Sequence, residues 1–414
     1  MKKKKSRAVL SLALSAAMLF NFVACTKVRA ANLMNGITAR SVEGKATDEK
    51  FKTAQMNFAL SLFKAVSAQG KENMLISPLS IMLALAMTAN GAEGKTLEEM
   101  EKVLGGIEID ELNEYLYTYL KKLPSSEKYR LEIANSIWFR DDGSFTVNKS
   151  FLQKNADYYS AAAFASAFDS SAVKDVNNWV RENTDGMIEE IIEEIGPETV
   201  MYLINAIVFE AQWNEIYEKK DILDGAFTAI DGTVRNVKMM SSTESGYIDD
   251  GNATGFVKDY KDGKYSFVAL LPDENDVYGY IENLTAEGLV SALASAKGSV
   301  SVKMPQFSYE YEIELNDVLS SLGMPTAFSY GADFSGMRDS EYDNLSISKV
   351  LHKTYIELDS NGTKAAAVTS VGINRTSATI TERFVTLDRP FVYLIVDNET
   401  TLPIFMGVVT DIGK

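Results

Sequence analysis

The sequence predicts an α+β domain, and three observations predict it. Helical spacing of apolar residues dominates the front of the chain from Phe51. Long strand-like runs dominate from Met201 to the end. No Pro/Gly-rich linker, low-complexity tract or repeat interrupts residues 51–414, so the two kinds of element share one large domain.

The N-terminus precedes that domain. Lys2 to Arg7 form a positive stretch, and Ala8 to Phe20 is a nearly unbroken apolar run. Its length suits a secretory signal and is too short for a comfortable membrane span. The following Asn21-Phe22-Val23-Ala24-Cys25 puts small residues before the only Cys of the chain, as in a bacterial lipobox, although Phe22 stands where Leu is usual. This pattern predicts lipidation at Cys25 after removal of residues 1–24. Ordinary cleavage after Ala30, which would discard Cys25, is the competing reading. Both predict export. One acyl chain holds a membrane marginally, whereas a diacylated Cys holds firmly. Residues 25–50 are polar and read as a flexible tether.

Phe51, Phe58, Leu62 and Val66 predict a helix over 51–66. Ser77 then suits an N-cap and Pro78 a first helical turn, with Asn90-Gly91 ending the run. Thr96-Leu97-Glu98-Glu99 has capping-box spacing and predicts a helix over 96–104. Leu131 to Phe139 reads as a strand, and Val176 to Ile192 as an amphipathic helix whose wet face carries Glu189-Glu190 and Glu193-Glu194. Met201 to Phe209 is nearly all apolar, which predicts a strand buried on both faces with Asn205 inside it. Runs at 227–240, 265–271, 300–311, 354–358, 391–396 and 402–409 complete the strands.

Composition narrows the function. The formal charge is −16, and removing residues 1–24 leaves 36 bases against 57 acids, or −21. So acidic a body repels phosphate backbones, which argues against nucleic-acid binding. One Cys and one His exclude a disulfide framework and a Cys/His zinc site. Any Ser-His-Asp catalyst would have to use His352, yet no Gly-x-Ser-x-Gly motif accompanies it. His352 reads as a hydrogen-bonded structural histidine. No phosphate-binding loop or dinucleotide fingerprint is present, so no cofactor or metal is expected; a carboxylate-pair enzyme stays open among the plentiful acids, but no motif supports it and the chain does not read as an enzyme.

The informative stretch runs from Gly362 to Ile380. Alternate residues Thr363, Ala365, Ala367, Thr369, Val371 and Ile373 form a small, uncharged face, and the only charge of the first half, Lys364, falls on the other. This period of two fits a strand with one buried face. No Pro lies between Gly362 and Arg389, so every backbone donor can join a ladder. As a permanent core strand the segment would pack thinly, and as a permanent loop its alternation would be idle. A segment that waits outside a sheet and slides into it fits both facts. A plain Ala/Ser/Thr-rich linker is the bland alternative.

From about residue 51 onward the chain resembles the serpin family. The resemblance is carried by Asn73-Met74-Leu75-Ile76-Ser77-Pro78-Leu79-Ser80-Ile81, Val176-Asn177-Asn178-Trp179-Val180 and Asn205-Ala206-Ile207-Val208-Phe209-Glu210-Ala211-Gln212-Trp213. Val350-Leu351-His352-Lys353, the hinge Gly362 to Ala367, Asp388-Arg389-Pro390-Phe391-Val392-Tyr393-Leu394 and Phe405-Met406-Gly407 complete it. It implies a bacterial, exported, inhibitory-type member with three sheets, about eight or nine helices and an exposed reactive-centre loop over about 362–384. It also implies a monomer that traps serine proteases as a suicide substrate. The protease forms an acyl-enzyme with the cut loop, and the freed hinge (Gly362, Thr363, Ala365, Ala366, Ala367) inserts into the main sheet. A non-inhibitory serpin acting as a binding or storage module is the alternative. A surface adhesion or solute-binding protein is supported only by the signal and the acidic charge.

Residue by residue, the resemblance assigns Ser77, Ser80, Asn205 and His352 to a shutter beneath the sheet. It assigns Trp213 to the breach where insertion begins, with Gln306 and Ser360 beside it. There the family usually pairs Lys with Glu; both positions are neutral here, and a hydrogen bond is expected instead. The stretch from Gly362 to Pro390 runs about three residues longer than in many relatives. Counting from the hinge puts the reactive bond at Thr376-Ser377, suited to an elastase-like pocket. Arg375-Thr376 would suit a trypsin-like one, and counting back from Pro390 points near Thr379-Ile380.

Overall fold

The computed structural model describes residues 28–123, 129–143, 146–338, 345–363 and 383–413. Cys25, Ala365, Ala366, Ala367, Arg375, Thr376 and Ser377 lie outside the described residues.

The chain opens with β1 (Ala31–Asn32), α1 (Glu49–Ser67), β2 (Met74–Ile76), α2 (Pro78–Ala89), α3 (Gly94–Val103) and α4 (Ile109–Lys122). Next come β3 (Tyr129–Arg140), α5 (Lys149–Tyr159), β4 (Ala162–Ser166), α6 (Ser170–Asn183) and β5 (Met201–Gln212). A run of strands follows: β6 (Ile222–Thr228), β7 (Val234–Glu244), β8 (Gly246–Asp249), β9 (Ala253–Asp259) and β10 (Tyr265–Pro272). Then come α7 (Val277–Asn283), α8 (Ala286–Ser295), β11 (Val300–Pro305), β12 (Phe307–Glu314) and α9 (Asn316–Leu322). The chain closes with β13 (Lys349–Leu358), β14 (Gly362–Thr363), β15 (Phe384–Thr386), β16 (Phe391–Asp397) and β17 (Pro403–Val409). Nine α-helices and three sheets are thus present among the described residues, as an α+β fold requires.

The large sheet has the order β1-β4-β3-β5-β14-β13-β12. The second sheet runs β2-β17-β16-β10-β9-β8 and the third β15-β11-β7-β6. At β5 the large sheet is buried on both faces. Leu203, Ile207, Phe209 and Ala211 of β5 join the main core, while Tyr202, Ile204 and Ala206 join a second core with Trp138, Phe164, Val176 and Trp179 under α6. This is why β5 reads as a continuous apolar run rather than an alternating one.

Several local readings differ from the sequence expectation. Of the tether expected over residues 25–50, residues 28–48 lie along the body. Ala31 and Asn32 pair with Ala165 and Phe164, and the Arg40 amide donates to Asp157 Oδ1 at 2.7 Å. Edge pairing uses backbone groups, so side-chain periodicity does not reveal it. The capping box at Thr96 is absent. The helix starts at Gly94, and Glu99 instead accepts from the amide and hydroxyl of Thr326, both at 2.9 Å. The helix expected over 176–192 spans Ser170–Asn183. It stops where Asp185 and Gly186 take left-handed conformations (φ 54° and 77°), so the exposed pairs Glu189-Glu190 and Glu193-Glu194 are not helical. The run at 227–240 is a hairpin, turned at Asp231-Gly232, and the run at 300–311 splits at Gln306 into strands of two different sheets.

Candidate functional site: a half-closed seam in the large sheet

β5 and β13 are neighbours, but their parallel ladder joins only Tyr202–Ala206 to Lys349–Lys353. At the other end β14 sits between them. Gly362 and Thr363 pair antiparallel with Gln212 and Ala211, and Thr363 also faces Leu358. Between these ends no ladder pairing joins 207–210 to 354–357 among the described residues. The seam is therefore occupied at one end and closed at the other. A strand continued from Thr363 would run antiparallel to both flanks, a slightly more stable arrangement per residue than the parallel one it would replace.

Gly362 permits this seating by lacking a side chain. A Cβ there would lie 1.9 Å from the Ala211 carbonyl oxygen. The close approach of two backbones is what requires glycine here. Thr363 is 2% exposed, and its hydroxyl lies 2.5 Å from that of Tyr260, whose pKa burial raises.

The closed end holds the four residues assigned to the shutter, all fully buried. Ser77 caps α2, its hydroxyl accepting from the Ser80 amide at 3.3 Å. The Ser77 amide donates to His352 Nε2 at 3.1 Å. Nε2 must then be unprotonated, so Nδ1 carries the proton and donates to Asn205 Oδ1 at 2.6 Å. Asn205 Nδ2 donates to Ser80 Oγ and to Asn135 Oδ1. Burial pushes the His352 pKa down to about 3, so the ring is neutral. Asn205 and His352 stand directly opposite each other across the parallel ladder. Parting that ladder breaks their bond. Asn135, opposite Asn205 on β3, belongs to the same network and was not anticipated; an Asn inside an otherwise strand-like run was its only signal.

At the occupied end Trp213, 1% exposed, stacks on Tyr260 with centroids 4.5 Å apart and planes 9° apart. Its indole Nε1 donates to the Asp359 carbonyl at 2.9 Å, and its amide to the Asn361 carbonyl at 2.8 Å. The Tyr217 amide donates to the Ser360 carbonyl at 2.9 Å. No hydrogen bond joins Ser360 to Gln306 among the described residues; the Gln306 amide donates to the Lys238 carbonyl at 2.9 Å. A buried pair nearby, Lys258 Nζ to Glu244 Oε1 at 2.8 Å, was not anticipated, because its members are ordinary charges far apart in sequence. Burial lowers the Lys258 pKa, but the charge of Glu244 and the hydrogen bonds to Glu244 and Tyr217 outweigh it and the net shift is upward.

A seven-strand sheet with a two-residue strand seated at one end of the β5–β13 seam and a buried polar network closing the other defines the class of fold. The family described as Serpin (serine protease inhibitor) matches residues 53–412. An uncharacterized serpin-like protein of Thermococcus kodakarensis is 32% identical over 361 residues, covering 85% of this chain and 83% of that one. The thermophilic serpin Tengpin in its native state superposes with a TM-score of 0.90 at 52% identity, covering 93% of this chain and all of that one. Tengpin in its latent state gives 0.79 at 48% identity, covering 89% of this chain and all of that one. The chain belongs to the serpin family. As a whole it superposes more closely on the native form than on the latent one, and its family makes it a non-catalytic protein.

Proposed function

We propose that this protein inhibits extracellular serine proteases as a suicide substrate. A protease attacks the loop that follows Thr363 and forms an acyl-enzyme. The freed strand then fills the seam between β5 and β13 before the ester hydrolyses. One observation carries the reading: a two-residue strand already seated in antiparallel register above a closed parallel ladder.

That register has a consequence. Extending it sets Ala365 opposite Phe209, Ala367 opposite Ile207, and Thr369 opposite both Asn205 and His352. Thr369 shares the parity of Thr363 and would face the shutter. Insertion would thus separate Asn205 from His352 and place a hydroxyl between them, so the broken hydrogen bond has a replacement. Thr363 is already seated and uncharged, and uncharged Ala365 and Ala367 follow it without the desolvation cost of several kcal/mol that a charge would impose.

The reactive bond in this reading is Thr376-Ser377, with Arg375-Thr376 as the trypsin-directed choice. The protein acts as a monomer, exported by residues 1–24 and held at a bacterial surface through a lipid on Cys25. The test is to mix the chain with pancreatic elastase and with trypsin and run a denaturing gel. A covalent complex with either supports the reading, and mass spectrometry of the released peptide identifies the bond. No complex with both, together with unchanged melting after loop cleavage, would favour a non-inhibitory binding module.

A further inference from the structure

We propose that the buried Lys258–Glu244 pair is a positioning device that sets the register of the inserting strand; this rests on the insertion reading above. Insertion must begin in one register. A slip of one residue turns every side chain to the opposite face, and would carry Lys364 to the face that Thr363 now occupies. In a hairpin the register is fixed by the turn, here residues 359–361 between β13 and β14. Asp359 braces that turn from within, its Oδ1 accepting from the Asn361 amide at 2.7 Å and the Gly362 amide at 3.2 Å. From outside, three donors hold three consecutive carbonyls. Trp213 Nε1 holds Asp359, the Tyr217 amide holds Ser360, and the Trp213 amide holds Asn361.

Both donor residues are seated on Lys258. Its ammonium lies 4.6 Å from the Tyr217 ring centroid and 5.4 Å from that of Trp213. Its side chain is 3% exposed, that of Glu244 14%. They come from β9 and β7, strands of two different sheets, and so tie both to the clamp. Ser242 Oγ donates to Glu244 Oε1 at 2.6 Å and lies 3.1 Å from the Tyr217 hydroxyl, closing the network. A buried ion pair contributes little net stability, because desolvation offsets its attraction. Its use here is geometric. Ser360 and Gln306 carry no charge with which to brace the turn, and this pair braces it from the neighbouring sheets.

The test nicks the loop with a broad-specificity peptidase and follows the gain in urea resistance over time, for wild type, Lys258→Met and Glu244→Gln. The two variants serve as independent probes should one fold poorly. Each is expected to insert at least about tenfold more slowly, with Lys258→Arg restoring most of the rate. With trypsin or elastase, the variants should yield more cleaved inhibitor per covalent complex at an unchanged rate of loop cleavage. A merely structural pair would lower the stability of nicked and intact forms alike without shifting that ratio. A wild type that gains no stability after nicking would overturn the insertion reading and this inference with it. A wild type that inserts, alongside variants that insert as fast, would overturn this inference alone.

Discussion

Lowering the pH should weaken the closed end of the seam through His352. Its folded pKa is depressed from the ordinary 6.5 to about 3 by complete burial. The unfolded chain therefore takes up a proton below about 6.5 that the folded chain refuses. The stability attributable to this residue is fully present above 6.5 and is lost as pH falls toward 3. At about 1.4 kcal/mol per pH unit, a fall from 6.5 to about 5 costs about 2 kcal/mol. Protonation would also place a second donor at Nε2, against the Ser77 amide that it now accepts. The assay is the midpoint of the first urea transition of the uncleaved chain across this range, for wild type and for His352→Gln, which cannot titrate. Carboxylates shift both curves equally, so the difference between them isolates the ring. The wild type should lose about 2 kcal/mol relative to the variant between pH 6.5 and 5. Parallel curves would refute the argument.

Thr363→Arg should convert the inhibitor to a substrate, because a guanidinium at a 2% exposed position costs several kcal/mol to bury; complex on a denaturing gel should give way to cleaved product. Gly362→Ala should unseat β14, since its new Cβ meets the Ala211 carbonyl, and lower the melting point of the uncleaved chain by a cost of about 1–3 kcal/mol. Asn205→Ala should leave the His352 Nδ1 proton unpaired, at about 1–3 kcal/mol, and speed spontaneous insertion, read as loss of inhibitory activity on incubation. Thr369→Val should allow cleavage yet reduce the stability gained by the nicked form, measured by calorimetry.

What the sequence made legible follows from the range of each cause. Ser77-Pro78 marks the start of α2 because a cap is a local hydrogen bond. The same logic failed at Thr96, where Thr326, distant in sequence, takes Glu99, and Thr96 Oγ1 accepts from the Asp333 amide at 2.9 Å. The amphipathic pattern beyond Asn183 persists because the segment still packs apolar residues on the sheet. Yet Thr184 diverts the backbone, its hydroxyl accepting from the Ile188 amide at 3.2 Å. The alternation after Gly362 was readable, being written in consecutive residues. The brace under the hinge was not, because Lys258 and Glu244 meet only through sheet packing.

The contact between α6 and the large sheet is built from aromatic rings. Trp138 and Phe164 lie nearly flat on each other, with centroids 4.4 Å apart and planes 24° apart, and Trp179 of α6 meets Phe164 edge-on at 6.5 Å. The stacked pair joins two neighbouring strands, β3 and β4, and the edge-on Trp179, with the branched Val176 and Val180 of the same helix, keys α6 to that pair. Any widening of the large sheet on that side would have to carry α6 along with Phe164 or give up this edge contact, so the aromatic cluster links the overlying helix to the strands beneath it.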